Sequence, residues 1–156
     1  MTPNDEKLSP NFTWGEMTRT GRAGMQDLNR EEAEAYKPAL RATAQMLQKV
    51  RDHFGPLKVN SCFRGPSVNQ AVGGSKGSQH LIGEAVDFVP ASPDVSFDAV
   101  IRWIALESGI PFGQLIDEKP GASHWIHLSL GEPFRKKNNR QVLTFDGKEY
   151  KPLALK

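Results

Sequence analysis

The stretch SQHLIGEAVD, residues 78–87, holds an imidazole, a glycine and a carboxylate in a short piece of chain. A loop that bends at Gly83 and then enters a strand would return Asp87 to the neighbourhood of His80. The predicted strand leaves Asp87 on one face and apolar neighbours on the other, as alternation along a strand requires. We therefore predict that His80 and Asp87 belong to one site.

A second motif, HWIH at residues 124–127, supplies another imidazole, His127, from a predicted neighbouring strand. Two imidazoles and a carboxylate form a ligand set that zinc accepts in catalytic sites, with the fourth position left for water. Spacing alone leaves open the alternative that these are unrelated polar residues. If they meet in space, the predicted zinc ligands are His80, Asp87 and His127.

The hydrophobic pattern predicts helices early in the chain and strands mixed with a helix later. The predicted helices are a short one capped by Thr13, a long one from about Pro38 to Phe54, and one over Phe97–Ser108. The predicted strands cover 57–61, 84–89, 113–116, 125–130 and a hairpin of 141–145 with 149–151 around Asp146-Gly147. This layout favours an α+β fold in which a small antiparallel sheet carries the zinc site and packs against helices. We expect a single domain over 1–156, with 131–156 as a C-terminal extension or hairpin.

Composition narrows the class of partner. The formal net charge of +2 over 156 residues is too small to argue for a nucleic-acid partner. We find no signal-peptide pattern and no apolar run of the roughly 20 residues that a membrane span needs. The lone Cys62 is read as a small buried apolar side chain. We expect a monomer that is made in the cytoplasm and does not insert into membranes.

Both motifs together, SxHxxGxAxD followed by WxH, resemble the zinc D-Ala-D-Ala peptidases and the phage L-alanyl-D-glutamate endopeptidases. The wider group includes the vancomycin-resistance dipeptidases and the hedgehog signalling domain. Residues 59–66 also resemble the family's SGYR strand end, and 67–75 resemble the segment before its histidine loop. The resemblance covers about residues 10–130. The positions that match the motifs are Ser78, His80, Gly83, Ala85, Asp87, Trp125 and His127.

The resemblance implies that His80, Asp87 and His127 hold one zinc ion. It implies that Arg64 binds a substrate carboxylate or carbonyl, for which a planar guanidinium is well suited. A structural ion pair is the alternative for Arg64. The same resemblance implies that Ser78 lines the substrate cleft. The alternative is that Ser78 only shapes the turn of the loop.

The general base is the least defined element of the resemblance. Many relatives have a glutamate three residues before the last histidine ligand, where this chain has His124. Phage-type relatives have one on the preceding strand, and the segment 114–118, QLIDE, matches them with Glu118. We favour Glu118 as the base and His124 as an auxiliary acid or oxyanion stabiliser. The reverse assignment stays open. So does the alternative that Glu118 is only a solvated turn residue without a catalytic role.

The expected function is a zinc-dependent peptidase, a carboxypeptidase or endopeptidase, that hydrolyses an amide in the peptide stem of peptidoglycan. The phage resemblance suggests a bacteriophage endolysin that degrades the cell wall after release, or a virion-borne subunit. The rival is a non-catalytic, zinc-stabilised wall-binding or virion structural module. The bond that is cut stays open between D-Ala-D-Ala, L-Ala-D-Glu and a cross-bridge. The basic residues 135–137 are a wall contact or, more simply, a solvated loop.

Overall fold

The structure is a computed structural model that describes residues 2–134 and 139–155 of the chain. Its contacts divide the chain into two units, Met1–Gln48 with Val59–Val86 and Lys49–Lys58 with Asp87–Lys156. The basic residues 135–137 lie outside the described residues. Among the residues described, no helix is long and apolar enough to cross a membrane.

The first unit begins with a short strand pair and contains most of the helices. Thr13 caps the first helix as predicted, because its hydroxyl accepts a hydrogen bond from the backbone N–H of Glu16 at 3.2 Å. The long helix has Pro38 in its first turn and ends before Gly55. Gly55 has φ of 89°, a backbone conformation that ends a right-handed helix. In chain order the elements are β1 (Lys7–Ser9), β2 (Phe12–Thr13), α1 (Trp14–Met17), α2 (Gln26–Ala33), α3 (Lys37–Phe54) and α4 (Pro66–Ala71).

Gly83 makes the bend that the sequence predicts. It ends a 3-10 turn, Gln79–Ile82, in the left-handed conformation, with φ of 72°. A Cβ atom at this position would lie 2.9 Å from Cγ of Leu40, so a larger residue would be both strained and crowded. The Thr43 hydroxyl donates a 2.7 Å hydrogen bond to the Gly83 carbonyl and holds the turn against α3.

The main sheet has six strands in the order β3-β4-β6-β5-β7-β8. Helix α5 (Phe97–Leu106) packs on β5 and β6, and Ser96 caps it by accepting from the N–H of Ala99 at 3.0 Å. The strands are β3 (Leu57–Ser61), β4 (Ala85–Pro90), β5 (Phe112–Glu118), β6 (Trp125–Leu130), β7 (Gln141–Phe145) and β8 (Tyr150–Pro152).

The prediction of a small antiparallel sheet is wrong on two points, because the sheet is larger and mixed. β5 and β6 are antiparallel, but β7 runs parallel to β5 on its other side. The reason lies where β7 begins: the Arg140 N–H donates a 3.0 Å hydrogen bond to the carbonyl of Phe112, the first residue of β5. Both strands therefore start at the same end of the sheet.

The pairing register determines which side chains share a face. In the β5–β6 pair, Glu118 lies opposite Trp125 and Asp117 lies opposite Ile126. The register shifts by one residue earlier in β5, where Phe112 pairs with Leu130 but Leu115 pairs with Leu128. Such a bulge changes the alternation of side chains along the rest of the strand.

A hairpin of β7 and β8 completes the sheet, as the Asp146-Gly147 signal predicts. The Asp146 carboxylate accepts hydrogen bonds from the backbone N–H groups of Lys148 at 2.8 Å and Glu149 at 2.9 Å. Gly147 has φ of 99°, a positive value that glycine adopts in tight turns without steric strain. Because these backbone N–H groups favour the ionised carboxylate, they lower the pKa of Asp146, the bond from Glu149 having the largest effect.

Candidate active site

His80 is oriented by a backbone carbonyl. Its Nδ1 lies 2.7 Å from the carbonyl oxygen of Cys62, which can only accept, so Nδ1 carries the proton. The lone pair of the neutral ring is then on Nε2, the nitrogen able to coordinate a metal. The ring is almost fully buried. The sequence predicts Cys62 as a small buried side chain, and no local pattern indicates a role for its carbonyl.

Asp87 and His127 face each other across neighbouring strands. The Oδ1 atom of Asp87, on β4, lies 2.9 Å from Nδ1 of His127, on β6. Because β4 and β6 are neighbours in the sheet, strand pairing rather than a loop holds these two groups together. Ligands held by regular elements keep their geometry better than ligands on loops.

The three predicted ligands come together as a group that can hold a metal ion. The ligand atoms that His80, Asp87 and His127 offer all lie within 4.8 Å of one another. Donor atoms around a tetrahedral zinc ion with bonds of about 2.0–2.1 Å are separated by roughly 3.3 Å, so only small movements would complete such a site. The donor set and the orientation of His80 both fit zinc.

Glu118 lies on the same face of the β5–β6 pair as His127. Ile116 pairs with His127, and Glu118 is two residues further along β5, opposite Trp125. Residues two apart on a strand share a face, so Glu118 is a diagonal neighbour of His127, at about 7–8 Å between Cα atoms. Only 9% of Glu118 is exposed, so the carboxylate is largely sheltered from solvent.

His124 is directed to the opposite face. Its Nε2 lies 2.5 Å from Oδ1 of Asp117, which is 1% exposed and pairs with Ile126 on the face away from His127. The His124 ring also stacks on Phe97 at the start of α5, with ring centroids 3.7 Å apart. Lys119 contributes a second contact to the Asp117 carboxylate, at 3.1 Å. The structure thus separates the two residues between which the sequence left the proton transfer open.

Arg64 is held in place by two neutral partners. Its Nε donates to Oδ1 of Asn69 at 2.9 Å, and its Nη2 donates to the hydroxyl of Ser78 at 3.2 Å. Its backbone N–H donates to the carbonyl of His80 at 2.9 Å, which ties it to the loop of the predicted ligand. The Ser78 hydroxyl also accepts from the N–H of His80 at 3.2 Å, so Ser78 orients both residues.

Arg64 also lines a cleft of about 420 Å³ within the first unit. Two further arginines, Arg19 and Arg22, line the same cleft. The Arg19 guanidinium donates to the carbonyl of Val59 at 2.7 Å, which fixes it there. The cleft is therefore strongly cationic.

Tyr150 is a residue near the site that the sequence motifs do not indicate. Partial burial raises its pKa, and the carboxylates of Glu118 and Asp87 raise it further, so its hydroxyl lies in their field. No local pattern points to Tyr150, because its place depends on the parallel pairing of β7 with β5. That pairing joins segments distant in sequence.

A family model described as Peptidase M15 matches residues 10–129 of the chain. No curated protein matches the chain closely enough to add to this result. The matched span includes every residue that the sequence singled out for the site, and it ends before the β7–β8 hairpin. It covers well over half of the chain.

Proposed function

Because the chain belongs to the Peptidase M15 family and is therefore a zinc metallopeptidase, we propose that it hydrolyses an amide bond in the peptide stem of peptidoglycan. The observation that carries this proposal is the group formed by His80, Asp87 and His127, with Glu118 on the face of His127. We propose one zinc ion at this group. When bound, zinc supplies a Lewis acid for the scissile carbonyl and lowers the pKa of a water molecule.

We assign the general base to Glu118. Its carboxylate takes the proton of the attacking water and returns it to the nitrogen of the leaving amine. The position of Glu118 on the face of His127 supports this role, because it places the carboxylate next to the candidate metal group. His124 has a different role in this proposal: bound to buried Asp117, it anchors the chain that leads into β6.

We assign substrate binding to Arg64, with Ser78 and Asn69 holding its guanidinium in position. The peptide stem ends in a carboxylate, and a planar guanidinium binds carboxylates through two parallel hydrogen bonds. The cationic cleft of Arg19, Arg22 and Arg64 supports an anionic group of the substrate at this place.

The test is to incubate the zinc-loaded protein with purified muropeptides and to identify new amine ends by mass spectrometry. We expect cleavage of one type of amide, loss of activity after chelation and its return with zinc. The identity of the new ends distinguishes a D-Ala-D-Ala, an L-Ala-D-Glu and a cross-bridge cut. A protein with a full zinc complement that cleaves an ordinary peptide but no muropeptide would overturn the proposed substrate.

A further inference from the structure

The β7–β8 hairpin extends the face of the sheet on which Glu118 lies, although it falls outside the segment matched by the family. Glu118 pairs with Phe145 of β7, and Phe145 pairs with Tyr150 of β8. Paired residues in a sheet place their side chains on the same face. Glu118, Phe145 and Tyr150 therefore form a row that runs across three strands.

The dimensions of this row bring the Tyr150 side chain within range of the site. Neighbouring strands are about 4.8 Å apart, so the backbones of Tyr150 and Glu118 are separated by roughly 10 Å. The Tyr150 ring stacks on Phe145, with centroids 4.4 Å apart and planes inclined by 26°. This stack fixes the ring, while 55% of Tyr150 stays exposed and open to a ligand.

The carboxylates of the site act on the Tyr150 hydroxyl. Besides partial burial, Glu118 and the ligand Asp87 raise the pKa of Tyr150, which places the phenol in the field of both groups. Each effect favours the neutral phenol, which is a hydrogen-bond donor.

We propose that Tyr150 contacts the substrate in the proposed peptidase reaction, and that its Oη donates a hydrogen bond to the peptide carbonyl oxygen beside Glu118. This inference rests on the proposed function. Negative charge develops on that oxygen as water adds to the amide, and a fixed neutral donor stabilises it without bringing in a competing charge. The hairpin beyond the family segment thus supplies a catalytic residue.

The test is Tyr150→Phe, which removes only the hydroxyl and keeps the stack on Phe145. We expect kcat on a muropeptide to fall about 10- to 100-fold with KM changed less than about threefold, because the donor acts mainly in the transition state. Zinc content and the melting temperature should equal those of the wild type. The matched control is Tyr36→Phe, which loses the same atom from the other tyrosine, in the first unit, where the ring stacks on Phe63.

The possible results separate this inference from the proposed function. If the wild type cleaves muropeptides and Tyr150→Phe keeps kcat within twofold, the inference is overturned and the proposed function stands. If Tyr150→Phe loses zinc or melts early along with its activity, Tyr150 has a structural role and the inference is again overturned. If the zinc-loaded wild type cleaves no muropeptide, the proposed function fails and the role of Tyr150 fails with it.

Discussion

Glu118 and Asp117 are neighbours in β5, but their side chains lie on opposite faces of the sheet. Glu118 shares the face of His127, whereas Asp117 is buried against His124 and Lys119 on the other face. The two carboxylates are therefore separated: Glu118 lies on the face of the candidate metal group, and Asp117 makes a buried contact on the other face.

Replacement of Glu118 by glutamine tests the assignment of the base. We expect Glu118→Gln to keep its zinc and to lose about 10²- to 10⁴-fold in kcat, because an amide cannot accept the proton of water. His124→Ala should change kcat by no more than a few-fold, since its ring contacts Asp117 on the other face. Steady-state kinetics and zinc analysis of both variants check this. The reverse pattern, with Glu118→Gln active and His124→Ala inactive, would show that the base is His124.

Removal of the Asp87 carboxylate tests the metal group. Asp87→Ala should lose bound zinc and activity together, because a charged ligand disappears and His127 loses its 2.9 Å partner. Zinc per protein by mass spectrometry and zinc affinity by calorimetry are the measurements. Asp94→Ala, an exposed acidic position on the loop before α5, is the control and should bind zinc like the wild type. Equal zinc affinity in the two variants would remove Asp87 from the ligand set.

A methyl group at Gly83 tests how the histidine loop is held. Gly83→Ala should lower the free energy of unfolding by about 1–3 kcal/mol, because alanine is strained at φ of 72° and its Cβ would meet Leu40. The displaced loop should also weaken zinc binding through His80. Gly77→Ala is the control, since a Cβ there meets nothing within 4 Å. Urea denaturation and zinc titration should separate the two variants, and identical behaviour would mean that the bend tolerates a side chain.

Loss of charge at Asp117 should affect stability more than chemistry. Asp117→Asn should lower the free energy of unfolding by about 1.5–3 kcal/mol, the range for hydrogen bonds to charged groups, while zinc content stays the same. Glu149→Gln, which removes an exposed ion pair with Lys151, should cost at most about 1 kcal/mol. Chemical denaturation provides both values. A large fall in kcat of folded Asp117→Asn would indicate that the Asp117–His124 pair takes part in the reaction.

The turn between β7 and β8 should depend on pH. The pKa of Asp146 is lowered by the N–H groups of Glu149 and Lys148, so its stabilising effect is present above the pKa of the unfolded chain. The effect is lost as the pH falls through the lower folded pKa. Hydrogen exchange at the amides of Lys148 and Glu149 should therefore report a looser turn in acid. In Asp146→Ala the turn should be loose at neutral pH as well, and protection equal to the wild type would contradict this account.

Local patterns in the sequence predicted much of the chain. The strand Trp125–Leu130 follows a polar turn and keeps its predicted bounds, and the capping signal at Thr13 is confirmed. The short helix Pro66–Ala71 was missed because it has too few residues to show a helical period. The two motifs predicted three residues that the structure brings together in a group able to hold a metal ion, and their assignment as zinc ligands stays a prediction.

Pairing between distant segments could not be predicted in the same way. The parallel contact of β7 with β5 depends on the return of the chain through Arg140, which no local pattern encodes. The direction of His124 depends on which face Asp117 takes, and that depends on the register of β5 against β6. The roles of Glu118 and His124 in proton transfer therefore stay predictions until the variants are measured.

The bulge early in β5 determines which side chains of the strand face the metal group. If β5 continued from the Phe112–Leu130 pair as a regular ladder, Asp117 would pair with Trp125 and would point to the side of His127. Glu118 would then lie on the face that Asp117 occupies in the structure. A single additional residue in the strand thus decides which of two adjacent acids faces His127. An insertion or deletion there would replace Glu118, the proposed base, with Asp117 on that face, without altering any residue of the candidate metal group.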